Sequence, residues 1–291
     1  MTKRHRSQRP QHVPRRPVVF AGALESIKWL KRSVYSIARG RIRDPANPVD
    51  QVWVTIGTGC VVAPNRMITA CHVVNGPANN NPMTQHVAGD QYYLLRHDDE
   101  GNWHFRRFTP EMNRTLFLYP DVDLAVLYLE EEFYQHGAVK DDFIRVDQNF
   151  HQIGTEVAVL GYPLVGLTFE NRNVDQPKVG DILLRADTGI VNCRYRTAPD
   201  VFRYEFTMGF NPGNSGGPIF SPRTGMLLSI VHGYKAIPIN RREHILTDDE
   251  KRSIAAVHFS HDSIIEVVHG NYSVGYATPS FLEAFREHRI I

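Results

Sequence analysis

The sequence predicts an all-β protein built from two similar β units, and three observations carry that prediction. Between residues 33 and 233 the chain breaks into short runs rich in Val, Ile, Leu, Tyr and Phe. Turn-forming residues separate the runs, as at Asp44-Pro45, Pro64-Asn65, Gly101-Asn102 and Asn211-Pro212-Gly213. A polar stretch over 130–154 then divides them into two sets of about six strands, a spacing that suits barrels or sandwiches and not alternating β-α units.

Residues 1–21 form a basic tail, expected to be disordered. Lys3, Arg4, Arg6, Arg9, Arg15 and Arg16 fall in it with no acid among the first 17 residues. Subtracting these six from the 33 basic residues leaves 27 against 31 acidic ones, so the net charge of +2 resides in the tail. Such a tail reads either as a solvated leader or as a contact for nucleic acid or anionic lipid. Leu24, Ile27 and Leu30 then recur at helical spacing and predict an amphipathic helix near 22–32. The first unit, 22–135, holds the candidate strands SVYSIARGRI, VWVTIGTGCVV, RMITA, QYYLLRH, WHFRRFT and DLAVLYLE. The second, 136–291, opens with the linker and continues through EVAVLGYP, DILLRADTGIVN, FRYEFTM and GMLLSIVHG. Its segment 235–270 reads as an insertion, partly helical, with Thr247 as cap and Glu250 three residues on. The chain closes on a predicted helix in TPSFLEAFREHR, with Thr278 as cap and Pro279 in the first turn.

At 42% apolar and 22% charged residues, the 291-residue chain has the composition of a soluble globular protein. No apolar run approaches the roughly 18–20 residues that span a bilayer. The basic start lacks the apolar stretch of a secretory signal, so the expected location is cytoplasmic, with no membrane partner. Three cysteines, Cys60, Cys71 and Cys193, lack C-x-x-C spacing and read as buried small apolar side chains; a Cys60–Cys71 bridge across a hairpin is the alternative. No H-E-x-x-H motif or paired Cys/His cluster is present, and no metal site is expected.

Chemistry concentrates in three places. Asn211-Pro212-Gly213-Asn214-Ser215-Gly216-Gly217-Pro218 sets a serine among glycines. A serine hydroxyl is a weak nucleophile that needs a base, exposure and donors for the developing oxyanion. Glycines permit a tight turn and free amides to point at one spot. The stretch Gly213, Asn214, Ser215 is the candidate oxyanion hole, with the N–H groups of Gly213 and Ser215 as donors. His72, just past the strand RMITA, can exchange a proton near neutral pH. Asp123, just before the apolar run LAVL, can accept the second imidazole N–H and fix the tautomer. The order His72, Asp123, Ser215 is one of the known triad orders, with the first two in one β unit and the serine in the other.

The segments GTGCVVAPNRMITACHVV, DLAVL, VLGYPLVG, FNPGNSGGPIF and VGYATPSFLEAF together resemble the protease domain of the HtrA/Deg group of trypsin-like serine peptidases. The resemblance runs over about residues 22–291 and implies a chymotrypsin-like double six-stranded β-barrel. It also implies endopeptidase activity on protein or peptide substrates through His72, Asp123 and Ser215, and no cofactor. Control by a regulatory protein partner is a family-level expectation; so is a catalytically latent, peptide-binding relative as the alternative to an active enzyme. The chain departs from the group in ending soon after VGYATPSFLEAF, where a PDZ domain usually follows. Asn214 replaces the acid that pairs with a newly cut N-terminus in digestive relatives, so activation by N-terminal trimming is not expected. By resemblance the primary pocket involves Gly209, Phe210, Ser229, Val231 and His232. Gly209 at its floor is not an acid, which implies cleavage after small or medium apolar residues. Related glutamyl endopeptidases bind an acidic side chain with a histidine on this strand, at the position of Val231 here. His232 stands one residue on and belongs to the opposite face.

Overall fold

A computed structural model of the chain describes residues 19–44, 47–75, 91–97, 103–108, 111–129, 143–163, 183–211, 213–245 and 263–291. Residues 1–18 of the basic tail and the expected helix start at Thr247 lie outside these residues, whereas the end of the tail is ordered: Phe20 is buried and its N–H donates to Arg223 O at 2.7 Å.

The first unit begins with helix α1 (Ala23–Leu30), one 3-10 turn, and strands β1 (Val34–Asp44), β2 (Asn47–Ala63) and β3 (Arg66–Ala70). A one-turn helix α2 (Cys71–Asn75) and β4 (Gln91–His97), β5 (Trp103–Phe108), β6 (Leu116–Tyr119) and β7 (Leu124–Tyr128) follow. These strands form one antiparallel sheet in the order β5-β4-β1-β2-β3-β7-β6, so the first unit carries seven strands in place of six. The second unit comprises β8 (Glu156–Gly161), β9 (Arg185–Ala198), β10 (Val201–Phe206), β11 (Pro218–Phe220), β12 (Leu227–Ile245) and β13 (Ser263–Ala277). It closes as a six-stranded barrel, β10-β13-β12-β11-β8-β9. The architecture is the all-β, two-unit, chymotrypsin-like one. The described parts of 235–270 are not helical: β12 and β13 pair from Ser229↔Ala277 out to Ile245↔Ser263, forming a two-stranded ribbon continuous with the barrel.

Three apolar clusters explain why several strands read as unbroken hydrophobic runs. Along β7, Ala125 and Leu127 enter the core of the first unit, and Leu124 and Val126 enter a cluster between the units. Along β8, Val157 and Val159 face the second core, and Ala158 and Leu160 face that same middle cluster. Strands buried on both faces lose the polar half of their alternation. The middle cluster also takes Leu30 of α1 and Phe281, Ala284 and Phe285 near the C-terminus, where a 3-10 turn (Thr278–Phe281) leads into helix α3 (Leu282–Glu287). The Thr278 hydroxyl is not a helix cap: it donates to Asp147 O. Cys60, Cys71 and Cys193 are all free. Among the described residues no helix is long and apolar enough to cross a membrane.

The C-terminal end is fastened to the first unit by His288, only 2% exposed. Its Nε2 meets the Tyr119 hydroxyl at 2.6 Å and its Nδ1 the Tyr128 hydroxyl at 2.8 Å. The Arg66 guanidinium donates to its carbonyl at 3.2 Å while stacking over the Tyr128 ring. Burial lowers the His288 pKa from 6.5, and Arg66 adds to that while Glu287 opposes it. The folded protein thus disfavours the imidazolium, and below pH 6.5 the unfolded chain binds more protons at this position. This contribution to stability is fully present above pH 6.5 and lost as pH falls from 6.5 toward the lowered value. Replacing His288 by Ala removes its bond to the Tyr128 hydroxyl, while Tyr119 keeps its bond to Glu287, and should destabilise the fold by about 1–3 kcal/mol. Thermal unfolding at pH 8 and pH 5.5 checks both expectations, since the variant should lose less stability on acidification than the wild type.

Candidate active site

The pairing of β3 with β7 brings the site together. Ala70 at the end of β3 lies opposite Leu124 at the start of β7, which sets His72 beside Asp123 across 51 residues of sequence. Asp123 ends a 3-10 turn (Pro120–Val122) in the left-handed region, φ 50°, which Asp tolerates better than bulkier residues. Its backbone carbonyl accepts the Cys71 N–H at 3.0 Å. Its side chain accepts the His72 N–H on Oδ1 at 2.9 Å and His72 Nδ1 on Oδ2 at 2.8 Å. Backbone and ring of His72 are therefore both fixed by one residue.

Asp123 is 9% exposed. Burial pushes its pKa up, but hydrogen bonds from His232 and His72, with the charge those rings can carry, outweigh it and hold the carboxyl well below the ordinary range. An ionised carboxylate only accepts, so His72 carries its proton on Nδ1 and leaves Nε2 as the basic nitrogen. The neighbouring Cys71 thiol is pushed up to about 11 by burial and by Asp123, so it is not a thiolate nucleophile.

Ser215 reaches the site from the second unit, in the turn before β11. A residue not anticipated from sequence, the fully buried Thr58 of β2, holds this turn. Its N–H donates to Ser215 O at 2.8 Å and its hydroxyl to Gly213 O at 2.7 Å, while the same hydroxyl accepts Tyr162 N–H at 2.9 Å. Gly213 has φ 95°, a conformation that L side chains rarely adopt. At Gly216, φ 81°, a Cβ would collide with Thr69 Oγ1 and Thr58 O, so the turn cannot sit this deep with any other residue. The Asn214 N–H is taken by Asn211 O, and Asn214 O accepts the Gly217 N–H. Because the peptide is planar and trans, the Ser215 N–H points away from that bond. Among the described residues no acceptor takes the N–H of Gly213 or of Ser215. The Ser215 hydroxyl donates to His232 O at 3.5 Å, and no hydrogen bond joins it to His72.

The segment assigned by resemblance to the substrate pocket lies partly inside the barrel. Val231 and Phe210 belong to the core of the second unit, and the fully buried Ser229 donates to Tyr276 O. Gly209 is exposed, and its N–H donates to Asp187 at 3.1 Å. His232 lies on the other face from Val231, with Nδ1 2.5 Å from Asp123 Oδ2. His72, Asp123 and His232 thus form a group of metal-ligating type, their donor atoms within 4.8 Å of one another. The N···O separations of 2.8 and 2.5 Å are hydrogen-bond lengths. Two ligands on one tetrahedral zinc stay about 3.3 Å apart, given bonds of about 2.0–2.2 Å. The group therefore fits a carboxylate shared by two imidazoles better than a metal cage.

A comparison with curated protein sequences returned no match. Among solved structures, the chain is similar to neuropsin, a serine protease expressed in the limbic system of mouse brain. That match has 10% identity and a TM-score of 0.48, and it covers 89% of this chain and 95% of that one. A sequence model for the trypsin-like peptidase domain matches residues 57–230, a span that includes His72, Asp123 and Ser215 and more than half of the 291 residues. The chain belongs to the trypsin-like peptidase domain family.

Proposed function

We propose that this chain is a serine endopeptidase of the HtrA/Deg type, with Ser215 as nucleophile, His72 as general base and acid, and Asp123 as the group that orients His72. The observation that carries the reading is the pair of hydrogen bonds from His72 to one ionised, buried Asp123, facing a serine turn that Thr58 fixes from across the interface. His72 Nε2 takes the Ser215 proton as Oγ attacks the scissile carbonyl carbon. The imidazolium so formed is stabilised by Asp123 and returns the proton to the leaving amine. The acyl-enzyme ester is then opened by water through the same groups. The two unengaged N–H groups, of Gly213 and Ser215, are the donors for the oxyanion. The Ser215 hydroxyl must first leave His232 O and turn to Nε2, a contact that commonly tightens only when substrate binds.

That resting contact also favours a second reading, a latent protein that binds peptides without cutting them. Wild type and Ser215→Ala treated with a fluorophosphonate probe and fluorescent casein separate the two. Labelling and cleavage confined to the wild type are expected, and neither signal from folded wild type would establish the latent form. Replacing Asp123 by Asn leaves the shape but reverses the favoured His72 tautomer, and kcat should fall by about ten-thousand-fold.

For specificity the same reading holds that cleavage follows small or medium apolar residues. No acid stands at Gly209 to receive Lys or Arg, and the Nδ1 of His232 is committed to Asp123. Profiling with a peptide library should show Ala, Val or Leu before the cleaved bond; dominant Glu, Lys or Arg would overturn it.

A further inference from the structure

β12 departs from regular pairing beside the site. Val231 lies opposite Gly275 and Gly233 opposite Val274, which leaves His232 as the extra residue of a β-bulge. Bulges bend a strand and re-aim the side chain they carry, and they gather near active sites. The His232 ring is held from several elements. Asp123, before β7, accepts its Nδ1 at 2.5 Å. The His72 ring of α2 stands edge-on, centroids 5.6 Å apart at 86°. On the other side the Tyr276 ring of β13 stands edge-on at 5.1 Å and 83°. Arg203 of β10 stacks over Tyr276 and hydrogen-bonds its hydroxyl. The Ser215 hydroxyl donates to the backbone carbonyl of His232 itself.

Because Asp123 is ionised and can only accept, both imidazoles present a protonated Nδ1 to it. A single oxygen, Oδ2, takes both N–H groups, and Oδ1 takes the backbone N–H of His72. All three bonds converge on one buried side chain. We propose that His232 is a positioning residue of this site, presented by the bulge so that the carboxylate orienting His72 is shared between two imidazoles and cannot swing away from the base. The assignment rests on the peptidase reading of His72, Asp123 and Ser215. It has two chemical consequences. A second donor on Oδ2 draws charge away from the bond to His72, so the imidazolium formed in catalysis is stabilised less than by an unshared carboxylate. It also holds the carboxylate by a second bond on the same oxygen, which keeps Nε2 aimed at the nucleophile.

The test uses 15N-labelled full-length wild type, His232→Ala and His232→Asn. In Asn the amide nitrogen lies where Nδ1 of histidine lies, so the donor is kept and the second titratable ring is lost. Wild type should show two low-field imidazole N–H resonances. In His232→Ala one should vanish and the His72 resonance should move. With peptide substrate, His232→Ala should lose about tenfold in kcat at nearly unchanged KM, and the acid midpoint of kcat/KM should rise by about half a pH unit or more. His232→Asn should recover both to near wild type, which a role in folding or packing alone would not produce. If the His72 resonance and the pH profile are the same in wild type and His232→Ala, the proposal is wrong. If wild type hydrolyses nothing while both resonances appear and His72 responds to loss of His232, the shared carboxylate stands and the peptidase reading falls.

Discussion

The fully buried hydroxyl of Thr58 is where the two halves of this molecule become one site. It belongs to β2, yet it donates to Gly213 O in the serine turn and accepts from Tyr162 just past β8, and Thr58 N–H takes the carbonyl of Ser215. Each buried polar atom satisfies another, so withdrawing one would leave several without partners in a dry interface. Histidine and aspartate are set by the register of β3 on β7; the serine is set by Thr58. Without that hydroxyl, the serine turn would keep the Thr58 N–H bond to Ser215 O but lose its hold at Gly213.

The apolar cluster between the units does the complementary work. Leu124 and Val126 of β7, Ala158 and Leu160 of β8, and Phe281 and Phe285 near the C-terminus all enter it. The strands nearest the site are therefore buried on both faces, which keeps Asp123 away from water and lets one carboxylate exert its charge at short range. His288 closes the far end of this layer, its ring between two tyrosine hydroxyls.

Much of this was legible in the chain. RMITA and QYYLLRH match β3 and β4 end to end, and the triad candidates stand at strand ends, where alternation stops and turn chemistry begins. The short β6 and β11 were not read as strands, because four and three residues are too few to show a period. The ribbon of β12 and β13 was read as an insertion with helical parts, because charged residues such as Arg241, Arg242 and Glu243 mask strand alternation. Thr58 looked like any strand threonine, since its partners lie up to 155 residues away. His232 was assigned to a substrate pocket. The offset from Val231 to the opposite face was readable, but a bulge has no signature in a single sequence, and only the pairing of β12 with β13 reveals it.

The shared middle layer has a thermodynamic consequence. β7 and β8 each face their own unit's core on one side and the middle cluster on the other, so neither can leave the middle cluster without disturbing the core behind it. The two units are then expected to unfold together. A species that kept the serine turn with the first unit unfolded would expose the apolar side chains of the middle cluster to water. For the proposed peptidase, that coupling would tie cutting competence to the integrity of the whole fold.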